Sequence, residues 1–371
     1  MKKKTRFVFN AYLQQLARLN GVEVEELSSK FTVEPSIQQK LEDQIQQSAA
    51  FLTLVNITPV TEQSGQLLGL GVGSTIAGTT DTTTKEREPT DPTLMEDMEY
   101  KCEQTNFDTV LTYAKLDLWA KFQDFQLRIR NAIVKRQALD RIMIGFNGVK
   151  RAKTSNRAGN PLLQDVNKGW LQKIREDAPD HVMGSRTKDG LTTKEAVLIG
   201  EEGDYLNLDA LVMDAVSELI DVVYQDDDDL VVVCGRELLS DKYFPLVNKK
   251  QENSEALAAD LIISQKRMGG LQAVRVPYFP ADALLITRLD NLSIYWQEDT
   301  RRRSVIDNPK RDRIENFESV NEAYVVEDYR CAALVENIEI TAAKAKTKIA
   351  AITQDDDSED EITDTENNSG E

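Results

Sequence analysis

The sequence predicts an α+β protein, and two patterns in its 371 residues carry that prediction. Apolar residues recur at three- and four-residue spacing through residues 116–146, which is typical of a long amphipathic helix. Short apolar runs between polar turns, such as LVVVC at Leu230–Cys234 and ALLIT at residues 283–287, are typical of buried strands. Long helices combined with several antiparallel strands in more than one unit define the α+β class.

The first 56 residues predict two helices joined by an extended segment. Residues 1–20 carry apolar side chains at helical spacing, and Gly21 follows them as a helix-ending residue. Ser28–Pro35 is expected to be extended. A second helix, from about Ile37 to Leu54, is expected to start next to Pro35, because proline suits the first turn of a helix.

Residues 57–95 differ from the rest of the chain because they are rich in glycine, threonine and proline. Their length exceeds the usual connection within a compact domain, so they predict a strand followed by a long mobile arm. The run GLGVGS at residues 69–74 resembles a phosphate-binding loop, but it lacks the lysine and hydroxyl residue of a Walker loop and no helical pattern follows it. A flexible hairpin is the favoured interpretation.

After a strand at Asn106–Tyr113, the longest helical pattern runs from about Leu116 to Phe146. At 1.5 Å per residue such a helix is roughly 45 Å long. Its apolar face begins with Trp119, Phe122 and Phe125. The opposite face carries a basic stripe that is expected to meet solvent or acidic neighbours. The members of that stripe are Lys121, Arg128, Arg130, Lys135, Arg136 and Arg141.

The second half of the chain mixes polar stretches with helices and short strands. Residues 150–206 are polar and are expected to consist mostly of loops. Apolar periodicity predicts three further helices, at residues 208–224, 237–247 and 254–265. Short strands are then expected to recur across polar turns from residue 283 onward.

The segment MGGLQAVRVPYFP at residues 268–280 predicts a rigid strand and turn. Alternating side chains favour a strand at Leu271–Arg275, and Pro277 and Pro280 end it because proline cannot donate a hydrogen bond to a sheet. A second apolar run starts almost at once, at Ala283.

The net charge of −18 is unevenly distributed along the chain. Residues 355–371 contain nine acidic residues and no basic one, so they predict a disordered tail. The remainder of the chain is also acidic. This balance argues against a protein whose task is to grip the phosphates of nucleic acid, since that task needs a basic face.

Cys102, Cys234 and Cys331 are predicted to be buried free thiols in a reducing compartment, because they are odd in number and widely spaced. No apolar run approaches the roughly 20 residues that span a bilayer. The residues that follow the basic start MKKKTRF are too polar for the core of a signal peptide.

Residues with catalytic or metal-binding potential are few. The single histidine, His181, has no nucleophile motif or metal-ligand spacing around it and is interpreted as a surface residue. The run Asp226–Asp229 lacks the spaced ligands of a calcium loop and is interpreted as a solvated turn. No catalytic, cofactor-binding or metal-binding residue is therefore predicted. A hydrolase that uses His181, or a metal-dependent enzyme that uses the aspartate run, remains the main alternative.

Several blocks of sequence carry a family resemblance. The longest are TRFVFNAYLQQLARLNG from Thr5 and LDLWAKFQDFQLRIRNAIVKRQALDRIMIGFNGVKRA from Leu116. Others include FTVEPSIQQKL, NPLLQDVNKGWLQ, GDYLNLDALVMDA, LAADLIISQKR, VRVPYFPADALLIT and AYVVEDYRCAALVE. In this order the blocks resemble the major capsid proteins of Peduovirus-type tailed phages, the phage P-two group. They extend from Thr5 to about Ile340 and leave out the acidic tail and part of the arm.

The resemblance implies the Hong Kong 97-type capsid fold, with a long spine helix, peripheral and axial domains and an extended arm loop. It also implies that the chain leaves the axial domain for the peripheral sheet near Pro277. The implied segments are an N-terminal helical segment (1–31), an N-terminal arm and helix (32–56), the extended loop arm (57–115), the spine helix (116–149), the axial domain (about 150–275), the peripheral strands (276–340) and a disordered acidic tail (341–371).

The implied function is that of a major capsid protein, not an enzyme. Many copies would assemble into hexamers and pentamers of an icosahedral head shell that encloses packaged double-stranded DNA without sequence-specific binding. The expected partners are further copies of the chain, a scaffolding protein or maturation protease, and the portal protein, with no membrane and no cofactor. The shell would be assembled in the cytoplasm of the host bacterium and would persist in the virion.

The resemblance further implies removal of the N-terminal segment by a phage protease. Because Ser28–Pro35 is expected to be extended, the conformation that proteases require, the cut is placed near Lys30, Phe31 and Thr32. An internal scaffolding protein is a second alternative that the acidic tail alone would favour. The strand patterns VPYFP and AYVVED argue against it, since a scaffold would be mostly helical and polar.

Overall fold

The structure is a computed structural model that describes residues 1–67, 71–72, 77–89, 93–94, 98–119, 125–188, 191–240, 242 and 266–340. Within these ranges it has the predicted mixture of helices and mainly antiparallel sheets. The side chain of Phe122, the predicted helix at 254–265 and the acidic tail lie outside the described residues.

The helices begin and end as follows: α1 (Lys3–Asn20), α2 (Pro35–Gln47), α3 (Tyr113–Trp119), α4 (Phe125–Asn147), α5 (Trp170–Asp177), α6 (Leu208–Leu219) and α7 (Val222–Gln225). A further helical turn lies at residues 236–240. The strands are β1 (Phe31–Thr32), β2 (Asn56–Val60), β3 (Ser64–Leu67), β4 (Gly71–Val72), β5 (Thr93–Leu94), β6 (Met98–Lys101), β7 (Glu103–Asn106), β8 (Thr109–Thr112), β9 (Val182–Met183), β10 (Ser185–Lys188), β11 (Leu191–Lys194), β12 (Val197–Ile199), β13 (Leu230–Cys234), β14 (Arg267–Met268), β15 (Leu271–Arg275), β16 (Leu284–Arg288), β17 (Leu292–Gln297), β18 (Arg302–Asn308), β19 (Arg313–Val326), β20 (Ala332–Val335) and β21 (Ile338–Ile340).

The N-terminal helix α1 ends where the sequence predicts. Gly21 has a φ of +64°, a left-handed conformation that favours glycine, and the chain turns there back over the helix. The buried face of α1 includes Phe9 and Leu16, which pack in one cluster with Phe31 and with residues of β18 and β19. The first helix is therefore docked on the body rather than separate from it.

The second helix, α2, starts at Pro35 as expected, and the Glu34 side chain caps it by accepting a hydrogen bond from the Ser36 N–H. It is shorter than predicted, because it ends at Gln47 and a 3-10 turn at Ala50–Thr53 follows. Phe51 and Leu52 of that turn are buried, so their apolar spacing reflects the core and not a continued helix.

The predicted long helix is described as two stretches, α3 and α4, and residues 120–124 between them lie outside the described part. The strand expected before it is also two strands, β7 and β8, and helix α3 starts at Tyr113. Helix α4 alone spans 23 residues, about 34 Å at 1.5 Å per residue. Its C-terminal half is buried, including Ile142 and Phe146.

Two large sheets form the framework. The first has seven strands in the order β1-β18-β19-β17-β2, with β7 and β8 also paired to the long strand β19. The second has six strands in the order β14-β15-β13-β16-β20-β9. Its central strand β13 is buried at all five residues, which confirms the prediction for LVVVC.

The prediction that the chain leaves its sheet at Pro277 is wrong. The strand after the VPYFP turn, β16, pairs antiparallel with β13, so it returns to the same six-stranded sheet as β15. Tyr278 makes the turn with a φ of +62°, and its carbonyl accepts a hydrogen bond of 2.8 Å from the Asn147 amide. The crossing lies further on, at Leu289–Asn291, and the chain comes back to the six-stranded sheet at β20.

Residues 150–206 are more ordered than predicted, since they contain α5 and four strands, β9 to β12. The central residue is Trp170, which is fully buried and donates a hydrogen bond of 2.9 Å to the Ser293 carbonyl. A Cβ on Gly145 would lie 2.2 Å from the Trp170 ring, so glycine is needed there for the close approach of α4 and α5. One core cluster around Trp170 joins both large sheets.

The predicted helix at 208–224 is two helices. Helix α6 ends at Leu219, Ile220 is extended and buried, and the side chain of Asp221 caps α7. The buried face of α6 covers the six-stranded sheet, with Leu211 and Val212 in a second core cluster. The helix predicted from residue 237 is described only at 236–240 and 242.

Candidate assembly surfaces and a buried ion cluster

A buried ion cluster connects α2, α4 and the seven-stranded sheet. It consists of Glu42, Arg141, Arg301, Glu318 and Glu322, none more than 5% exposed. The contacts form a chain of alternating charge. Arg141 donates to Glu322 Oε1 at 2.6 and 2.9 Å and to Glu42 Oε2 at 2.6 Å, and Arg301 donates to Glu42 Oε1 at 2.6 Å and to Glu318.

One residue of the predicted basic stripe on α4, Arg141, belongs to this buried cluster. Arg141 meets acidic neighbours, as one of the two expectations had it, whereas Arg130 and Lys135 are exposed. The Arg136 side chain is half exposed and also pairs with a carboxylate, that of Asp140, at 2.5 Å. The basic stripe therefore faces solvent at Arg130 and Lys135, whereas Arg141 forms buried ion pairs inside the subunit.

The arm leaves the body between β2 and β6. Strand β2 pairs with β17 of the seven-stranded sheet, and the arm then forms two short antiparallel ladders, β3 with β6 and β4 with β5. Gly71 and Val72 thus belong to a hairpin, as predicted for the glycine run, of which residues 69–70 and 73–74 lie outside the described part. All residues from 77 to 89 are exposed.

A groove of about 1040 Å³ lies beside α4, between β7, β8, α3 and residues 151–166. Its described lining contains more basic than acidic side chains: Lys115, Arg128, Arg136, Arg151, Lys153 and Arg157 against Asp108, Asp140 and Asp165. Behind this lining, Thr105 Oγ1, Gln137 Oε1 and Asp165 Oδ1 are buried without a hydrogen-bond partner, and Asp140 Oδ1 has only its ion pair with Arg136. The described lining of the groove is therefore basic on balance.

Exposed apolar side chains mark a second surface, on the outer side of α6 and α7. Leu206, Met213, Val222 and Val223 are each more than 60% exposed. Large apolar side chains grouped on a soluble surface are typical of sites that contact another molecule.

The residues expected at the processing site lie at the edge of the seven-stranded sheet. Phe31 and Thr32 form β1, which is extended as predicted and pairs with Arg303 and Arg302 of β18. Lys30 is exposed, whereas the Phe31 side chain is buried. A protease would reach this segment once the short edge strand separates from β18.

The two sites considered for an enzyme, His181 and the aspartate run, lie in separate turns. His181 ends a 3-10 turn beside a hollow of about 670 Å³, and the described lining of that hollow has no serine or cysteine. Asp227 of the aspartate run pairs with Arg288 at 2.8 Å and accepts the Asp229 N–H, so the run is a solvated turn as interpreted. In the described ranges no three or more histidine, cysteine, aspartate or glutamate side chains are grouped so that they could hold a metal ion.

The three cysteines are free and buried, as predicted. Burial raises the pKa of Cys102 to about 12 and the pKa of Cys234 and Cys331 to about 11. Among the described helices none combines the length and apolarity needed to cross a membrane.

The subunit therefore combines two large sheets around a shared core with an arm whose residues 77–89 are exposed. The chain matches the family model described as phage major capsid protein, P2 family, over residues 8–338. The chain therefore belongs to the P2 family of phage major capsid proteins.

Individual relatives agree with this assignment. The chain is 58% identical over 357 residues to the capsid proteins of Escherichia phage P2, covering 95% of this chain and 100% of that protein. It is 39% identical over 341 residues to the major capsid protein of Serratia phage KSP20, covering 91% of this chain and 97% of that protein. A chain in the satellite phage P4 procapsid that includes the size determination (Sid) protein is 56% identical, with a TM-score of 0.75, and the match covers 92% of this chain and 99% of that chain.

These findings confirm the family, the Hong Kong 97-type α+β fold and the function predicted from the resemblance. The chain is a major capsid protein of a tailed phage, it forms the icosahedral shell together with further copies of itself, and it is a structural part of the virion. The ion cluster and the groove were missed by sequence reasoning. The only sequence signal for either was the position of Arg141 in the basic stripe.

Proposed function

We propose that copies of this chain associate head to tail into hexamers and pentamers, with the arm of each copy lying over a neighbouring subunit. Each subunit then offers one surface to a different surface on the next, an arrangement that closes into rings when the rotation allows it. The observation that carries the proposal is the arm itself, because residues 77–89 are all exposed and so bury nothing within their own subunit.

Charge supports the groove beside α4 as the receiving surface. Residues 77–99 of the arm contain seven acidic and two basic residues, and the described groove lining has the opposite balance. Ordering the arm on a neighbour costs conformational entropy, which the buried area offsets.

The two sheets fit the domain division of the proposed shell. The six-stranded sheet with α6 and α7 would be the axial domain at the capsomer centre, and the seven-stranded sheet with α4 the peripheral domain. The exposed apolar side chains of α6 and α7 would then contact neighbours around the axis. The pairing of β16 with β13 and β20 supports assigning β16 and β20 to the proposed axial unit.

The proposed cargo is packaged double-stranded DNA, enclosed without sequence-specific contacts. The overall acidic balance supports this proposal, because a strongly basic inner surface would retain the entering DNA. We further propose assembly in the cytoplasm of the host bacterium, with a scaffolding protein or maturation protease and a portal protein as partners. The structural role of the family supports the absence of an enzymatic activity.

Cysteine crosslinking tests the arm contact. We expect shells that carry Thr82→Cys in the arm and Ser155→Cys at the groove to give a ladder of covalent multimers with a short thiol crosslinker. Both positions are exposed, and the native thiols are buried with raised pKa values, so they compete little. Thr82→Cys combined with the exposed Ser217→Cys on α6 is the matched control. A missing ladder, or an equal ladder in the control, would contradict the proposed contact.

Processing of the N terminus is expected between about Lys30 and Thr32. Since Phe31 and Thr32 are paired with β18, the cut would follow the release of α1 and β1 and would make that release irreversible. Intact-mass measurement of protein from mature virions should give a chain that lacks about the first 31 residues. A mass equal to the full chain from Met1 would refute the processing proposal and leave the capsid assignment unchanged.

A further inference from the structure

The ion cluster has an uneven number of charges. Three carboxyl groups and two guanidinium groups are buried together, so full ionisation would leave one negative charge without a partner inside the subunit. An unpaired buried charge is strongly unfavourable, and a buried carboxyl group avoids it by keeping its proton. The contacts of the three glutamates differ enough to assign that proton.

Glu42 is the best-paired carboxylate of the cluster. One of its oxygens accepts from Arg141 and the other accepts from Arg301, each at 2.6 Å. Burial acts to raise the pKa of Glu42, but the two guanidinium groups outweigh it and hold that pKa below its ordinary value. Glu42 is therefore ionised.

Glu318 and Glu322 occupy the two ends of the charge chain. Glu318 is paired with Arg301 and is 5% exposed. Glu322 is 0% exposed, and both of its hydrogen bonds from Arg141 fall on Oε1. Its second oxygen, Oε2, is buried with no hydrogen-bond partner, so no donor stabilises a negative charge on that oxygen.

The surroundings of Glu322 favour its neutral form. Apart from Arg141, Arg301 and Glu42, two titratable groups interact electrostatically with Glu322. They are Cys102 and Tyr324, and burial raises the pKa of both. Two residues lie opposite Glu322 on the neighbouring strands. They are Trp296 on β17 and Glu103 on β7, and Glu103 is paired with Lys101 at 2.7 Å.

We propose that Glu322 is a neutral carboxylic acid in the folded subunit, and that its proton makes the ion cluster a pH-sensitive joint between α2, α4 and β19. With the proton in place the joint has two positive and two negative charges. Loss of the proton leaves an uncompensated charge beside Tyr324 and Cys102, which weakens the attachment of α2 and α4 to the sheet. This inference rests on the folded subunit alone and does not depend on the proposed arm contact.

The direction of the pH effect follows from the pKa. Burial raises the pKa of Glu322 above its ordinary value, and the attraction of Arg141 only partly offsets that rise. A group whose pKa is higher in the folded than in the unfolded chain stabilises the fold below its unfolded pKa. That stabilisation is lost as the pH rises through the folded value.

The test compares the full chain with the variant Glu322→Gln in denaturant unfolding across a pH series. The amide keeps an acceptor for Arg141 and matches the shape of the neutral acid, so the variant should fold. We expect the unfolding midpoint of the natural chain to fall as the pH rises above the ordinary glutamate range, and the midpoint of Glu322→Gln to fall less. Glu103→Gln is the matched control, because it removes a carboxyl group opposite Glu322 on the neighbouring strand without changing the charge of the cluster, and it should keep the pH-dependent fall.

Infrared spectroscopy gives a second readout that works on the natural chain even if a variant fails to fold. We expect the C=O stretch of a buried carboxylic acid at neutral pH, its loss at the higher pH where the fall of the unfolding midpoint levels off, and its absence in Glu322→Gln. Equal pH dependence in Glu322→Gln and the natural chain would overturn the proposal. The absence of a carboxylic-acid band at neutral pH would overturn it as well.

Discussion

Replacing Arg141 by alanine is expected to destabilise the subunit by about 3–5 kcal/mol, the usual cost of removing one partner from a buried ion pair. Arg141 is fully buried and holds Glu42 and Glu322 together. Without it, Glu322 loses its hydrogen-bond donor and Glu42 keeps only Arg301. Urea unfolding of the two chains at neutral pH measures the difference.

The matched control for this change is Arg136→Ala on the same helix. Arg136 is half exposed and pairs with Asp140, four residues further on, so its removal should cost only about 0–1 kcal/mol. Similar losses of unfolding free energy in the two variants would contradict the interpretation that the buried ion pairs of Arg141 stabilise the subunit. They would mean that α4 tolerates alanine equally at both positions.

Deleting about residues 69–85 is expected to abolish shell closure while the subunit still folds. The described residues of this segment from 77 onward are exposed, and none of the described residues between 67 and 97 belongs to a core cluster. The segment therefore contributes little to the core, whereas the proposed contact with a neighbour depends on it. The deleted chain should melt cooperatively and sediment as subunits or small oligomers.

A variant of the same length tests whether shell closure needs the side chains of the arm or only its length. Replacing the seven acidic residues of positions 77–99 by their amides keeps the length and removes the negative charges of the arm, so it should also impair closure if the basic groove recognises them. An unfolded deletion variant would show that the arm belongs to the core. Normal shells from the deletion variant would show that the arm is dispensable for assembly.

The sequence predicted those parts of the fold that depend on local patterns. The end of α1 at Gly21, the start of α2 at Pro35 and the buried strand β13 follow from residue chemistry within a few positions. The break between α6 and α7 was missed, because Ile220 and Asp221 fit a helical pattern and only packing shows that the chain turns there.

Features that depend on distant residues were not predictable from one sequence. Trp170 stands in a polar stretch, and its importance comes from contacts with Ser293 and Tyr324 more than 120 positions away. Apart from Arg301 and Glu318, which are 17 positions apart, the ion cluster joins residues separated by 99 to 259 positions along the chain. A charged stripe on a helix does not reveal which of its members will meet carboxylates supplied by another part of the fold.

The arm and the groove also differ in how well the sequence predicts them. The arm was predictable because its glycine, threonine and proline content is a local property. The groove was not, since β7, β8, α3, α4 and residues 151–166 form it only after folding. The proposed contact between arm and groove combines a predicted element with one that only the structure reveals.

The most direct test of the account is electron microscopy of the purified full-length chain, together with sedimentation. Assembly into a shell through contacts between copies predicts closed shells, capsomers or aberrant tubes from this chain, and their loss when residues 69–85 are deleted. A small monodisperse oligomer that turns over a substrate, with the same sedimentation for the full and the deleted chain, would contradict it.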